Sequence, residues 1–230
     1  MVTSGSHREA SKPRVGILIS GRGSNMAALI KAAMVEGFPA EIAVVISNRP
    51  EADGLALASA DGIPTETIES KPFGKDRAGF ETLLQSALDA HRIGLICLGG
   101  FMRLFTPEFV QRWYGRMLNI HPSLLPSFPG LEPHAQALNA GVKVAGATVH
   151  FVTPETDAGP IVMQGVVPVR DDDTPEELSA RILEIEHKIY PAALRLLASG
   201  RLRLEGAICK LNGDAGSTDT LISPRPTSKV

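Results

Sequence analysis

Only two cysteines, Cys97 and Cys209, occur in the 230 residues. Two thiols, one of them inside the apolar run IGLICLGG, give no disulfide framework of the kind small secreted domains rely on. An excess of one charge is also missing: 23 Lys and Arg against 25 Asp and Glu leave a formal net charge of -2. That balance excludes a general polyanion-binding surface and so predicts no nucleic-acid partner, although one local phosphate site remains compatible with it. No apolar run reaches the roughly 20 residues that cross a bilayer, so no membrane partner is expected. The opening MVTSGSHREASKPR lacks the apolar core of a signal peptide. By elimination these absences predict a cytoplasmic protein. The six histidines are scattered and the two cysteines far apart, so no metal site is expected.

What is present is ordinary for a globular chain: 43% hydrophobic and 21% charged residues. Residues 1–13 are polar and without period, and from about residue 205 to Val230 the chain turns to Gly, Ser, Thr, Pro and Lys. Both stretches read as tails, the second as a flexible one. The body between them, 14–204, alternates strands and helices. RVGILIS, AEIAVVISN, IGLICLGG and RMLNI read as strands. SNMAALIKAAMVEG, ADGLALASADG, KDRAGFETLLQSALDAHR and TPEFVQRWYG read as helices, the last opened by Thr106 as cap and Pro107 at the first helical position. IPTETIESKPFG reads as a loop. This order predicts an α/β fold with a doubly wound, mostly parallel sheet and ligands at the carboxyl ends of its strands. In the second half, GATVHFVT and GPIVMQGVVPVR read as an antiparallel strand pair. A long helix then opens at Asp173-Thr174-Pro175-Glu176-Glu177, with acids in its first turn, and runs to about Ser199.

Three stretches carry candidate chemistry. SGRGSN, Ser20 to Asn25, follows a strand and opens a helix, where small residues let backbone N–H groups approach an anion. The third glycine and the acid of a dinucleotide site are absent, as is the Lys-Ser/Thr of a Walker loop, so a monophosphate is the better guest. A plain tight turn accounts for the same residues. In GRMLNIHPSLLPSFPG, Asn119 and His121 lie two apart on a strand and share a face at its carboxyl end. An amide donor and an imidazole can stabilise an oxyanion, and Pro122, Pro126 and Pro129 stiffen the loop that follows. A histidine with only structural hydrogen bonds is the alternative. In TPETDAGP, Asp157 is by default a turn former. If this loop folds back on His121, its carboxylate orients the imidazole and favours its charged form, and Gly159 lets the loop pass close to a ligand.

Five blocks in series, ISGRGSN, GFMRLFTPEFV, LNIHPSLLPSFPG, GATVHFVTPETDAGPIVMQ and EHKIYP, resemble the phosphoribosylglycinamide formyltransferase family over about 14–204. The resemblance implies transfer of a formyl group from 10-formyltetrahydrofolate, as co-substrate, to the amine of glycinamide ribonucleotide in purine synthesis. It implies Asn119, His121 and Asp157 as the catalytic trio. It puts the nucleotide phosphate on Gly23, Ser24, Asn25, Met26 and Ala27 and the ribose on Glu186. It puts the folate on Arg77, Met102, Arg103, Leu104, Phe105, Asn119, Thr153, Pro154, Glu155, Thr156 and Asp157. A nucleotide-binding half, about 14–115, and a folate-binding catalytic half, about 116–204, follow, in a monomer or homodimer. Where the family often has PGLHTH this chain has PGLEPH, so Glu132-Pro133 depart from the pattern while His134 is kept. A formyltetrahydrofolate deformylase shares the trio but carries an added N-terminal domain and typically HHSFLP. A methionyl-tRNA formyltransferase shares HPSLLP but adds a C-terminal domain. A folate- or nucleotide-binding protein without catalysis is the reading from another class.

Overall fold

The first strand, β1 (Arg14–Ile19), buries every residue except Arg14, and a strand buried on both faces must lie inside a sheet with helices on either side. In the computed structural model, which describes residues 12–213 and Ser223, β1 is the centre of the sheet. β2 (Glu41–Ser47) and β4 (Leu95–Leu98) flank it in parallel. β3 (Thr65–Thr67) pairs outside β2, and β5 (Met117–His121) outside β4, both parallel. Then the direction reverses. β6 (Val144–Phe151) adds antiparallel to β5, and β7 (Ile161–Pro168) adds antiparallel to β6 at the edge. The seven-stranded order is β3-β2-β1-β4-β5-β6-β7, so the expected parallel sheet and antiparallel pair form one continuous surface.

Helices cover both faces. α1 (Ser24–Ala33), α2 (Asp53–Ala60), α5 (Pro133–Asn139) and α6 (Pro175–Ala198) contribute Met26, Leu29, Ala58, Ala137, Leu178, Ile182 and Tyr190 to one apolar layer. α3 (Arg77–Ala90) and α4 (Pro107–Arg112) supply Phe80, Leu84 and Phe109 to the other, joined there by Trp113. The expected cap is present, with Thr106 accepting from the Phe109 amide, and Thr174 adds a capping box with Glu177.

Two expectations need correction, and one helix carried no expectation. The loop IPTETIESKPFG contains β3 and a short 3₁₀ turn at Lys71–Phe73. PHAQALN forms α5, opened by the buried Pro133, so the departure Glu132-Pro133 places a proline where a first helical turn tolerates it. The C-terminal limit at Leu204 falls inside a hairpin, β8 (Leu202–Glu205) with β9 (Ile208–Leu211), so the tail does not begin there. The N-terminal tail up to residue 11 and the stretch 214–230, Ser223 apart, lie outside the described residues.

The sheet's switch point lies between β1 and β4, because the chain reaches β4 only after visiting β2 and β3 on the far side. The loops leaving β1, β4 and β5 carry SGRGSN, GGFMRLF and the proline-rich segment. All three open at the same edge of the sheet.

Candidate active site

Gly23 ends the first loop with φ 74, a left-handed conformation that glycine adopts without cost. A Cβ there would stand 2.9 Å from Gly54 Cα, so the loop and the start of α2 are packed glycine on glycine. The Ala27 amide donates to Gly23 O at 2.9 Å and is spent inside the helix. The amides of Ser24, Asn25 and Met26 have no acceptor among the described residues. These three N–H groups, at a helix start with no acid in its first turn, form an anion-binding end. The Met26 side chain is fully buried, so only its backbone faces outward chemistry. Asn25 Nδ2 donates to Glu186 Oε2 at 2.6 Å, joining α1 to α6. Glu186 is buried, and burial raises its carboxyl above the usual range despite that hydrogen bond.

A buried relay ties this loop to its neighbours. Ser20 Oγ donates to Asn48 Oδ1 at 2.5 Å and accepts from the Met102 amide at 2.8 Å. Asn48 Nδ2 donates to Ser70 Oγ at 2.9 Å. Asn48 stands where a dinucleotide site would put its acid, and here it braces three loops instead. From β4, Met102 and Leu104 leave large apolar side chains exposed. Phe105 is stacked between Phe101 and Phe109, with centroids at 5.4 and 4.7 Å. Arg103 lies over the Phe80 ring at 4.8 Å and donates to the carbonyls of Ser70, Gly74 and Asp76. Its guanidinium is thus committed to the protein. Arg77, at the start of α3, is exposed.

The trio comes together at the end of β5. Asn119 and His121 lie opposite His150 and Thr148 of β6. The loop after β6 brings back Asp157, whose side chain is only 9% exposed and whose φ is 53. Its Oδ2 is 3.5 Å from His121 Nδ1 and accepts from the Gly130 amide at 2.9 Å. The carboxylate therefore holds the proline-rich loop and faces the imidazole at once. Thr153 Oγ1 donates to Glu155 O, and Pro154, Glu155 and Thr156 are exposed along the same loop. Gly159 has a different role from the expected one: a Cβ would stand 1.8 Å from Phe151 O, so glycine is required by the loop's own backbone. His121 Nε2 lies 3.0 Å from Phe128 O. A carbonyl only accepts, so Nε2 carries the proton and donates it.

His150 was not singled out by the sequence. Its Nδ1 is 2.9 Å from Phe151 O and must donate, which leaves Nε2 of the neutral ring as an acceptor. Asn119 Nδ2 donates to that atom at 3.2 Å. One amide hydrogen of Asn119 is thereby fixed, and the second is left to act on a ligand. Burial lowers the His150 pKa, outweighing the Phe151 hydrogen bond and the Asp157 charge that would raise it. Thr148 is a second residue without a sequence signal: its hydroxyl accepts from the Leu125 amide and donates to Ser123 O, pinning the proline-rich loop to β6. His134 lies close enough to His121 for that ring to lower its pKa further, after burial.

A helix start with unpaired amides, an apolar segment after β4 and an Asn–His–Asp group thus share one sheet edge. Residues 13–194 match the model of the formyl transferase family. The chain belongs to that family. It is 49% identical over 208 residues to the trifunctional purine biosynthetic protein adenosine-3 of Bos taurus, covering 90% of this chain and 20% of that protein. The chain therefore spans about a fifth of that multifunctional relative. It is 41% identical over 197 residues to the phosphoribosylglycinamide formyltransferase of Escherichia coli K12, covering 86% of this chain and 92% of that one. The crystal structure of glycinamide ribonucleotide transformylase 1 from Symbiobacterium toebii superposes with a TM-score of 0.86 at 44% identity, over 90% and 98% of the two chains. The formyltransferase fold, a mostly parallel sheet with an antiparallel strand pair, is the one described above. Among the described residues no helix is long and apolar enough to cross a membrane.

Proposed function

We propose that this formyltransferase moves the formyl group of 10-formyltetrahydrofolate to the amine of glycinamide ribonucleotide, a step of purine synthesis, with Asn119, His121 and Asp157 as the reacting group. The observation that carries the reading is the convergence of Asp157 and His121, 3.5 Å apart, beside an Asn119 amide held in one orientation. The amine attacks the formyl carbon and an oxyanion forms. The free N–H of Asn119 and the Nε2–H of His121 stabilise that oxygen, the latter by exchanging Phe128 O for the substrate. The C–N bond to the folate then breaks. A proton leaves the attacking nitrogen and reaches the departing folate nitrogen, with the His121–Asp157 pair as relay. No side chain is acylated, so formyl never rests on the protein.

The nucleotide's phosphate is assigned to the amides of Ser24, Asn25 and Met26, with Gly23 allowing close approach and Ala27 only closing the helix. Its ribose is assigned to Glu186, steadied by Asn25. The folate is assigned to Met102, Leu104 and the Thr153–Asp157 loop, with Arg77 at the edge. Arg103 and Phe105 shape that segment rather than touch the ligand, because their side chains are already engaged. The deformylase alternative draws less support, because it leaves the free amides at the start of α1 without a role. Incubating the protein with 10-formyltetrahydrofolate, with and without glycinamide ribonucleotide, tests the reading. Turnover only with the nucleotide supports the transferase, and turnover without it contradicts it.

A further inference from the structure

The peptide between Pro129 and Gly130 is held at both ends. Its N–H donates to Asp157 Oδ2 at 2.9 Å, and its C=O accepts from Gln136 Nε2 at 3.2 Å. Gln136 Nε2 also donates to Leu131 O at 2.8 Å, and with two hydrogens it serves both carbonyls at once. Asp157 Oδ2 is the same oxygen that lies 3.5 Å from His121 Nδ1. Contacts therefore run from Gln136 on α5, through one peptide, to the carboxylate and the imidazole. Donation to a peptide carbonyl makes the N–H of that peptide a stronger donor, so Gln136 tightens the Gly130–Asp157 hydrogen bond as well as locating it.

Little else holds this part of the loop. Thr148 pins the near end, through Ser123 and Leu125. Further on, Phe128 (φ 57) and Glu132 (φ 52) are left-handed, a conformation such side chains adopt at a cost. Beneath the loop lies a cavity of about 210 Å³ lined by Pro122, Leu124, Phe128, Ala137 and Ile182, so packing leaves slack there. Among the described residues, side-chain hydrogen bonds to the backbone of 128–132 come from His121, Asp157 and Gln136. His121 and Asp157 form the relay, and His121 gives up Phe128 O when it turns its N–H to the substrate oxygen. At that moment Gln136 is the remaining hold that takes no part in the chemistry.

We propose, resting on the formyl-transfer reading above, that Gln136 is a positioning residue for the His121–Asp157 relay. It keeps the Pro129–Gly130 peptide, and through it the Asp157 carboxylate, in register with His121 while Phe128 O is released. Its effect belongs to the chemical step and not to substrate affinity, because it acts through the loop backbone.

The test is a double-mutant cycle of Gln136→Met with Asp157→Asn. Methionine has a similar length and helix propensity and lacks both donors. Gln136→Met should lower kcat about tenfold, with KM for both substrates within about twofold of the wild type. In the Asp157→Asn background the same replacement should cost less than about twofold, because the carboxylate it positions is already gone. Hydrogen exchange of the Gly130 amide should be about tenfold faster in Gln136→Met than in the wild type. Gln136→Lys, which returns an N–H donor on a chain of similar reach, should recover most of kcat and so separates the lost hydrogen bonds from any damage to α5. An unchanged kcat, a raised KM at wild-type kcat, an equal fold loss in both backgrounds, or no recovery in Gln136→Lys would overturn the positioning role and leave the formyl-transfer reading intact. No transfer to glycinamide ribonucleotide by the wild type would overturn both.

Discussion

Asn119 and His150 face each other across β5 and β6, with Asn119 Nδ2 3.2 Å from His150 Nε2. The Phe151 carbonyl keeps the proton on the other nitrogen of His150, so the amide is held with one N–H spent and one free. The pair makes Asn119 a directed donor rather than a rotating one, at no cost when charge develops on a substrate oxygen. Replacing His150 with Phe should lower kcat by on the order of 10- to 100-fold, less than removal of the Asn119 donor itself, about 10²–10³-fold. Steady-state kinetics on the folded variants would check the ranking, and a wild-type kcat in His150→Phe would remove the positioning role.

The same pair sets an acid limit. Protonating His150 turns its acceptor into a donor facing the Asn119 amide, which breaks the hydrogen bond. Burial holds this imidazole below its ordinary pKa, so the neutral ring persists to lower pH than in a free histidine. The sign is then fixed: the unfolded chain takes up this proton first, and stability is lost as pH falls below the ordinary imidazole range. His150→Phe should show a smaller loss of stability than the wild type between neutral and mildly acidic pH. Denaturant titrations across that range decide it, and parallel curves would contradict the assignment.

Asp157 is best tested as Asn. Its φ of 53 is a conformation that asparagine tolerates and alanine does not, and the amide oxygen still accepts from Gly130. Asp157→Asn therefore removes the charge while leaving the loop in place. Loss of the relay should cost about 10²–10⁴-fold in kcat. Near-normal kcat in the folded variant would exclude the carboxylate from proton transfer.

Glu186 predicts the opposite pH slope. Its carboxyl is raised above the usual value by burial, with the Asn25 hydrogen bond opposing. The folded chain holds that proton longer than the unfolded chain, so stability falls as pH rises through the window above the ordinary glutamate value. Glu186→Gln should flatten this part of the curve and weaken nucleotide binding. A wild-type slope in the variant would show that the burial cost is not carried by this residue.

Gly23 is a poorer probe of the phosphate than its sequence position suggests. Its left-handed φ and the 2.9 Å separation between an added Cβ and Gly54 Cα tax any substitution. Gly23→Ala should lose about 1–3 kcal/mol of stability from strain alone. The phosphate is better tested by changing the ligand: calorimetry should give tight binding for glycinamide ribonucleotide and much weaker binding for its 5′-hydroxy analogue. Equal heats and affinities for the two would free the loop of that role.

The central strands were legible because each is a nearly unbroken apolar run, RVGILI, EIAVVIS and LICL, as burial on both faces demands. β3 was not: TET is three polar or half-exposed residues on a sheet edge, with no apolar period to read. The β8–β9 hairpin alternates Leu202, Leu204, Cys209 and Leu211 on one face across Gly206, a signal lost beneath the polar composition that follows. The trio was visible because Asn119 and His121 share a strand face and a stiffened loop follows. His150 was hidden in GATVHF, where a histidine looks like any core residue and its partner is 31 residues away. The Ser20–Asn48–Ser70 relay is likewise assembled only by folding, from serines and an amide that are unremarkable in sequence.

The destination of the formyl group tests the account most directly. Formyl-labelled [¹³C]10-formyltetrahydrofolate, mixed with glycinamide ribonucleotide and the enzyme, can be followed by ¹³C NMR. The account predicts that the label appears as a formamide on the glycine amine nitrogen in proportion to the tetrahydrofolate formed, and that His121→Ala slows its appearance strongly. Label released as free formate, or transfer by His121→Ala at the wild-type rate, would contradict it.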